Sequence, residues 1–557
     1  MNVIIKSFLY FLSCVCFVSC TKSPTENAPS TPSAFTDITQ QIGLNFVHEP
    51  GVDGSYFMPE SMGSGGAFFD YNNDGYLDIY LINGNWHGKA QAPAVKNRLY
   101  RQNPNGTFQD VTDSSGLGDP GYGMGVAIGD IDNDGDLDVY VTNFGGDSLY
   151  RNNGDGTFTN ITNAAGIRNR EWGTSAIFLD YDRDGYLDLY VANYVSLDPT
   201  VVCMDKAGRQ DYCGPKGFQP VPDVLYRNNR DGTFEDVSRE SNIGNIAGKG
   251  LGVISADFNR DSYPDIYVAN DGEENFLWMN KQNGTFENQA VPLGAAVNAM
   301  GQPEASMGVA AGDADGDQDL DLFMTHLRDE KNSFYRNQGH GDFQDESWAV
   351  GLAGPSIPYT GFGTGYFDYD NDGDLDLAVV NGRVTRGALL TKKEKPDYWD
   401  DYAEPNLLFE NDGAGKFRVA ADHAGPFAST VENSRGLAFG DLDNDGDIDL
   451  LVTNEGGPAR VYRNGFQKKG HWLIVKAVDP GLQRDAIGAE ITVSFHGKKL
   501  MRSLAPGYSY LSSSDPRVHF GLGSATAVDA IEVRWPDGSI QKFPGTRSDQ
   551  FITLNKM

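Results

Sequence analysis

Carboxylates set at alternate positions beside a glycine can close around a hard cation. The stretch "DYNNDGYLD", Asp70 to Asp78, is of this kind. Ca²⁺ takes about six to eight oxygens at roughly 2.3–2.6 Å. Positions 1, 3 and 5 of a tight loop can turn Asp70, Asn72 and Asp74 inward. Gly at position 6 allows a bend with positive φ. The carbonyl of Tyr76 and the carboxylate of Asp78 complete the set. The pattern recurs at Asp130, Asp132, Asp134, Asp136 and Asp138, and at Asp180, Asp182, Asp184, Tyr186 and Asp188. It returns at Asp257, Asn259, Asp261, Tyr263 and Asp265, and at Asp313, Asp315, Asp317, Asp319 and Asp321. The last copies are Asp368, Asp370, Asp372, Asp374 and Asp376, and Asp441, Asp443, Asp445, Asp447 and Asp449. Like-charged groups 4 Å apart repel by about 4 kcal/mol at an effective dielectric near 20. Seven such clusters without cations would be costly, so up to seven Ca²⁺ are expected. An EF-hand would need Glu at position 12 and flanking helices. Position 12 here is Leu81, Val141, Val191, Val268, Met324, Val379 or Val452, and the flanks are strand-like. Ser262 and Gln318 replace the glycine, so the loops at 257 and 313 are expected to bind most weakly or not at all.

The elements that position these loops repeat with them. A Gly/Ala-rich run (strand A) precedes each loop and an apolar run ending mostly in Asn (strand B) follows it. Then come "LYRN" or a variant (strand C), a turn such as "NGDGT", and "FxDVT" (strand D). Asn-Gly and Asp-Gly between short β-rich runs are hairpin signals. Four antiparallel strands per repeat make one propeller blade. The first strand D, "FTDIT" at 35–39, precedes any strand A, and the last strand C, "RVYRN" at 460–464, lacks a strand D. Joined, they close a seven-bladed ring over 35–465. Gly65, Gly125, Ser175, Gly252, Gly308, Gly363 and Gly436 lie five residues before the loops, where inner strands crowd the axis. Residues 466–557 alternate apolar and polar residues without acidic loops and read as a separate small β-sandwich-like domain. The fold class is all-β.

The bulk numbers agree. The 557 residues include 67 Gly and 26 Pro and carry a formal charge of −33, which argues against nucleic-acid partners. Residues 1–19 read as a secretory signal. "FVSC" resembles a bacterial lipobox with Cys20 as the acylated residue; ordinary signal cleavage nearby is the alternative. Residues 20–34 then form a flexible polar tether. The expected location is the bacterial cell envelope, at the outer membrane or cell surface, with the lipid as the only membrane contact. Cys203 and Cys213 remain as a pair in an exported chain, which favours a disulfide over a metal pair or two free thiols.

The repeat "GMGVAIGDIDNDGDLDVYVTN" resembles FG-GAP/VCBS repeats. "RDAIGAEITV", "SYLSSSDPRVHFGLG" and "VRWPDG" resemble the ASPIC/UnbV domain, and the whole is similar to the cartilage acidic protein family and its bacterial relatives. The resemblance implies calcium binding outside the cytoplasm and no settled activity. G-x-S-x-G, H-E-x-x-H and C-x-x-C are missing from the sequence. His326 replaces the Asn that ends the other six strands B, and His519 lies on an alternating strand; both read as structural. Arg484, Asp485 and Asp515 read equally as a polar site or a solvated cluster. A tethered binding, adhesion or scaffold protein is the expected function; a lyase-type polysaccharide-active enzyme is the alternative. Three long B–C insertions fall on the face opposite the acidic loops. With Trp172, which a D–A crossover brings to the same face, they make Trp86, Trp172 and Trp399 candidate contacts for a protein or glycan ligand, unless the insertions only cover one mouth of the ring.

Overall fold

The computed structural model describes residues 33–86, 95–391, 393, 395–467 and 470–557. The expected signal and Cys20 lie outside the described residues. Seven antiparallel four-strand units follow one another along the chain, the first extended to six strands by a C-terminal hairpin. The second is typical: Gly123–Gly129 (A), Asp138–Asn143 (B), Ser148–Asn152 (C) and Phe158–Asn160 (D) pair in sequence order. The Val/Tyr-rich strands B are buried on both faces, as a central strand demands. Consecutive strands A neighbour one another in cyclic order, and that of the seventh sheet neighbours that of the first.

The ring is closed by its two ends. Phe35–Asp37 is the fourth strand of the seventh sheet, with Phe35 opposite Asn464 and Asp37 opposite Tyr462. Ala34, expected in the tether, instead packs beside strand D. Ala34 is fully buried, donates to His423 O and accepts from Gly465 N–H, both at 2.7 Å.

Residues 470–557 form two further sheets. One joins His471–Asp479 to Val518–Gly523 and Gln550–Asn555; the other is ordered Lys498–Ser503, Glu490–Phe495, Ala530–Arg534, Ile540–Pro544. They share a core with Leu473, Val475, Ile491, Val493, Phe520 and Trp535 buried. This small β domain packs directly on the ring. That core runs on into Phe178, Leu187 and Leu189 of the third blade. A hairpin, Gly507–Tyr508 with Ser512–Ser513, enters the axis of the ring and pairs with Ala67. Leu511 O accepts from Val126 N–H (3.1 Å), and Ser509 exchanges backbone bonds with Val309 (2.8 and 3.0 Å). Leu511 N–H donates to Ser175 Oγ (3.0 Å), and Thr364 N–H to Ser509 Oγ (3.0 Å). A Cβ at Gly65 would stand 1.9 Å from Leu511 O, so this inner-strand glycine makes room for the hairpin itself.

Candidate metal centres

Each acidic loop is the A–B turn of its blade and is built from its own carboxylates. Position 5 accepts from the N–H of position 7 in every copy, as in Asp74 with Tyr76 (3.0 Å) and Asp184 with Tyr186 (2.9 Å). Position 1 accepts from positions 5 and 6, as Asp130 does from Asp134 (3.2 Å) and Gly135 (2.9 Å). Asp313 makes neither bond, and both its oxygens are buried without a hydrogen-bond partner. The bend at position 6 has positive φ throughout, from Gly75 at 86° to Gly373 at 100°, with Ser262 and Gln318 held at 71° and 75°. Position 4 is left-handed too, at Asn73, Asn133, Arg183, Arg260, Gly316, Asn371 and Asn444. Sequence reading missed this second bend; Asn at four of the seven copies was its signal.

Carboxylates converge as cation binding requires. Oxygens of positions 1, 3 and 9 lie within 4.8 Å of one another in Asp130/Asp132/Asp138, Asp180/Asp182/Asp188, Asp368/Asp370/Asp376 and Asp441/Asp443/Asp449. In the fifth loop the converging set is Asp313, Asp315 and Asp317. The loops with Asn72 and Asn259 at position 3 have one carboxylate fewer; their amides donate to Asp74 (3.0 Å) and Asp261 (3.1 Å). Of the two loops expected to be weak, the one at 313 therefore keeps an acid triad, although Arg336 pairs with Asp315. Oδ1 of Asp132 and of Asp370 is buried with no protein hydrogen bond. Such orphaned acceptors fit a hard cation. Burial raises Asp130 and Asp180 to about 6, Asp441 to about 7, and Asp78 and Asp321 to about 8. A cation in the loop would oppose that shift.

Position 9 does more than face the loop. In every blade one oxygen accepts from the N–H of position 2, as Asp188 does from Tyr181 (3.1 Å). The other accepts from the N–H that ends strand C, as Asp188 does from Asn228 (2.8 Å). That strand-C residue then reaches back one blade to the carbonyl of position 2. Asn152 bonds Tyr71 O, Asn228 bonds Ile131 O, Asn280 bonds Tyr181 O and Asn337 bonds Phe258 O. Asn411 bonds Ala314 O, Asn464 bonds Tyr369 O, and Gln102 returns to Leu442 O. All seven distances lie between 2.8 and 3.1 Å. The acidic loops are thus linked around the ring, and the longer Gln102 side chain closes it. The Asn of "LYRN" carried the signal; sequence reading took it only as a strand end.

The C-terminal domain covers these loops. Arg484 donates to Gly185 O (3.2 Å), Arg502 to Gly373 O (3.0 Å), and Arg517 to Asn444 Oδ1 (2.7 Å) and Asp441 O (3.0 Å). His519 Nε2 is 3.1 Å from Gly446 O, and burial pushes its ring to about 3. His326, 1% exposed, is also pushed to about 3 by burial. Burial favours the neutral form of both rings.

Over the opposite mouth two insertions knit together. Cys203 and Cys213 are disulfide-bonded, and Tyr402 Oη, from the next long insertion, donates to Asp211 Oδ1 (2.6 Å). Arg386 donates to Asp211 Oδ2 (3.0 Å) and Gln210 O (2.7 Å). Tyr212 Oη donates to Glu60 (2.9 Å) and accepts from Tyr398 (3.0 Å). Trp172 is no ligand contact: it is 2% exposed, edge-on to Phe144 and Tyr194. Hydrophobic burial at the mouth of the ring takes it out of reach. Trp399 is half-buried and stacks on Tyr212 at 6.1 Å; Trp86 is half-buried as well.

Sheets arranged in a ring, with acid clusters on their A–B turns, define an acidic-loop β-propeller. The chain belongs to the FG-GAP-like repeat family, which matches residues 70–141, 131–191, 205–268, 257–324, 313–379 and 398–478. Residues 479–557 match the ASPIC and UnbV family. Cartilage acidic protein 1 of Xenopus tropicalis is 26% identical over 326 residues, covering 57% of this chain and 38% of that protein. The Mus musculus protein of the same name is 25% identical over 366 residues, covering 61% and 52%. The chain thus spans about half, or less, of the length of these relatives. A solved Agrocybe aegerita lectin that recognises non-reducing terminal N-acetylglucosamine aligns with TM-score 0.38 at 17% identity, over 71% of this chain and 87% of its own. A rhamnogalacturonan lyase aligns with TM-score 0.38 at 14% identity, over 73% and 72%.

Proposed function

We propose that the protein is a calcium-stabilised binding, adhesion or scaffold protein, tethered outside the cytoplasm through lipidated Cys20. The observation that carries the reading is the repeated convergence of loop carboxylates, linked from blade to blade, which uses the acidic side chains for metal and scaffold. The disulfide between Cys203 and Cys213 supports an oxidising compartment. The partner, a protein or a glycan, is taken at the mouth where Trp86 and Trp399 stay half-exposed. Affinity capture from the native envelope with calcium present tests this. The partner should be lost on Trp86→Ala and Trp399→Ala with an unchanged melt, and retention by both variants would refute the site. Incubation with acidic polysaccharides tests the activity: new unsaturated-sugar absorbance would make the protein a lyase instead.

A further inference from the structure

One buried imidazole stands between the two tryptophans at the covered mouth. His48, 3% exposed, lies on the strap between Phe35–Asp37 and the first strand A. Its backbone N–H donates to Gly457 O (2.9 Å), and that of Glu49 to Asn83 Oδ1 (2.7 Å). The ring continues this bridge. Gly84 N–H points at Nε2 (3.0 Å) and Gly456 N–H at Nδ1 (3.3 Å). Each glycine adjoins one tryptophan. Trp86 follows Gly84 by two residues, and a Cβ on Gly51 of the strap would stand 3.0 Å from Trp86 Cα. A Cβ on Gly456 would stand 1.7 Å from Trp399 Nε1, so that indole rests on the glycine itself. A neutral imidazole has one lone pair and one N–H. The shorter bond assigns the lone pair to Nε2, and Nδ1–H then faces Glu455 Oε1 at 3.0 Å. An imidazolium has no lone pair, so a second proton would set Nε2–H against Gly84 N–H. Glu455, with Glu49, Glu60 and Asp53 around it, favours that proton, and the Arg435 guanidinium opposes it. Burial keeps the Tyr122 hydroxyl beside them neutral.

We propose that His48 is a pH-sensitive positioning residue of the mouth: neutral, it holds Trp86 and Trp399 at one spacing, and protonated it releases Gly84 and with it Trp86. Histidine is the side chain whose charge ordinarily changes between about pH 5 and 8. Where the mouth takes the partner, as proposed above, binding should weaken in acid; only this consequence rests on that reading.

The full chain, labelled with fluorotryptophan and held in excess calcium, is followed by fluorine NMR from about pH 8 to about pH 5. Trp86→Phe and Trp399→Phe assign the two resonances. Both should shift on one titration curve, while that of Trp278, 1% exposed in the fourth sheet, stays in place. The curve should vanish from both in His48→Asn, or in His48→Gln where the first variant does not fold. Glu60 can reach Trp399 through Tyr212, so the titration is repeated in Glu60→Gln, where the shared curve should persist. Resonances that do not move, that move on two separate curves, or that keep their curve without His48 would overturn the proposal, the last passing the role to Glu455. These spectra need no partner. If they titrate as expected and capture survives loss of both tryptophans, His48 keeps its role and the mouth loses the partner.

Discussion

At the residue scale, the groups that matter most are buried polar side chains with fixed partners. Asn228 Nδ2 donates to Ile131 O (2.8 Å) in the preceding blade and Leu187 O (3.0 Å) in its own. Asn228→Ala should therefore cost about 1–3 kcal/mol in denaturant unfolding, because two buried carbonyls lose donors. The adjacent Asn229→Ala, whose amide makes an exposed bond to Thr233 within the same turn, should change little. Glu60, 2% exposed, is raised to about 8, chiefly by burial. A raised carboxyl contributes stability below its unfolded value near 4.5, and this is lost as pH rises through about 8. Between those values the loss is up to about 1.4 kcal/mol per pH unit. Glu60→Gln should flatten that part of the pH–melting curve and gain on the wild type at alkaline pH. A parallel shift of the whole curve would refute the assignment.

At the element scale, the acidic loop is a two-bend turn that happens to be rich in carboxylates. Positive φ at positions 4 and 6 points the intervening backbone outward and the Asp side chains inward. An L-residue in that conformation is strained by about 1–2 kcal/mol. Gln318→Gly should relieve part of this and stabilise by about 0.5–1 kcal/mol after the entropy cost of glycine. Gly373→Ala should destabilise by at least about 1 kcal/mol, since φ is 100° and the added Cβ would stand 3.2 Å from Gly521 O. Melting both variants in calcium checks the pair; the same sign for both would contradict this account.

At the scale of the molecule, the acidic loops, the axial hairpin and the ring depend on one another. Arg484, Arg502 and Arg517 dock on loop carbonyls and amides, so disordered loops release the domain that threads the axis. A site at tenfold ligand excess adds about 1.4 kcal/mol. Several together rival the whole stability of a domain, about 5–15 kcal/mol. EDTA should therefore lower the melting temperature sharply and raise hydrogen exchange at 507–515 together with the loops. An unchanged melt in protein shown to be metal-free would refute the coupling. Deleting residues 34–40 should raise exchange across 441–464 before other blades, because Phe35–Asp37 is the outer strand there.

The sequence alone determined the strands, their order in each blade, the ring's closure by its two ends and the position of every acidic loop. These follow from short-range chemistry repeated seven times: alternate carboxylates, a residue that tolerates positive φ, and Asp-Gly turns. Trp172 shows where that stops. Its neighbours in sequence, "REWGT", look like a loop, yet Phe144 and Tyr194 from other strands bury it. The bond from Asn228 to Ile131 spans 97 residues, and that from Leu511 to Ser175 spans 336. No local period records such contacts. That the C-terminal domain sits on the acidic loops and sends Gly507–Ser513 down the axis was decided only in three dimensions, where residues far apart in the chain compete for the same space.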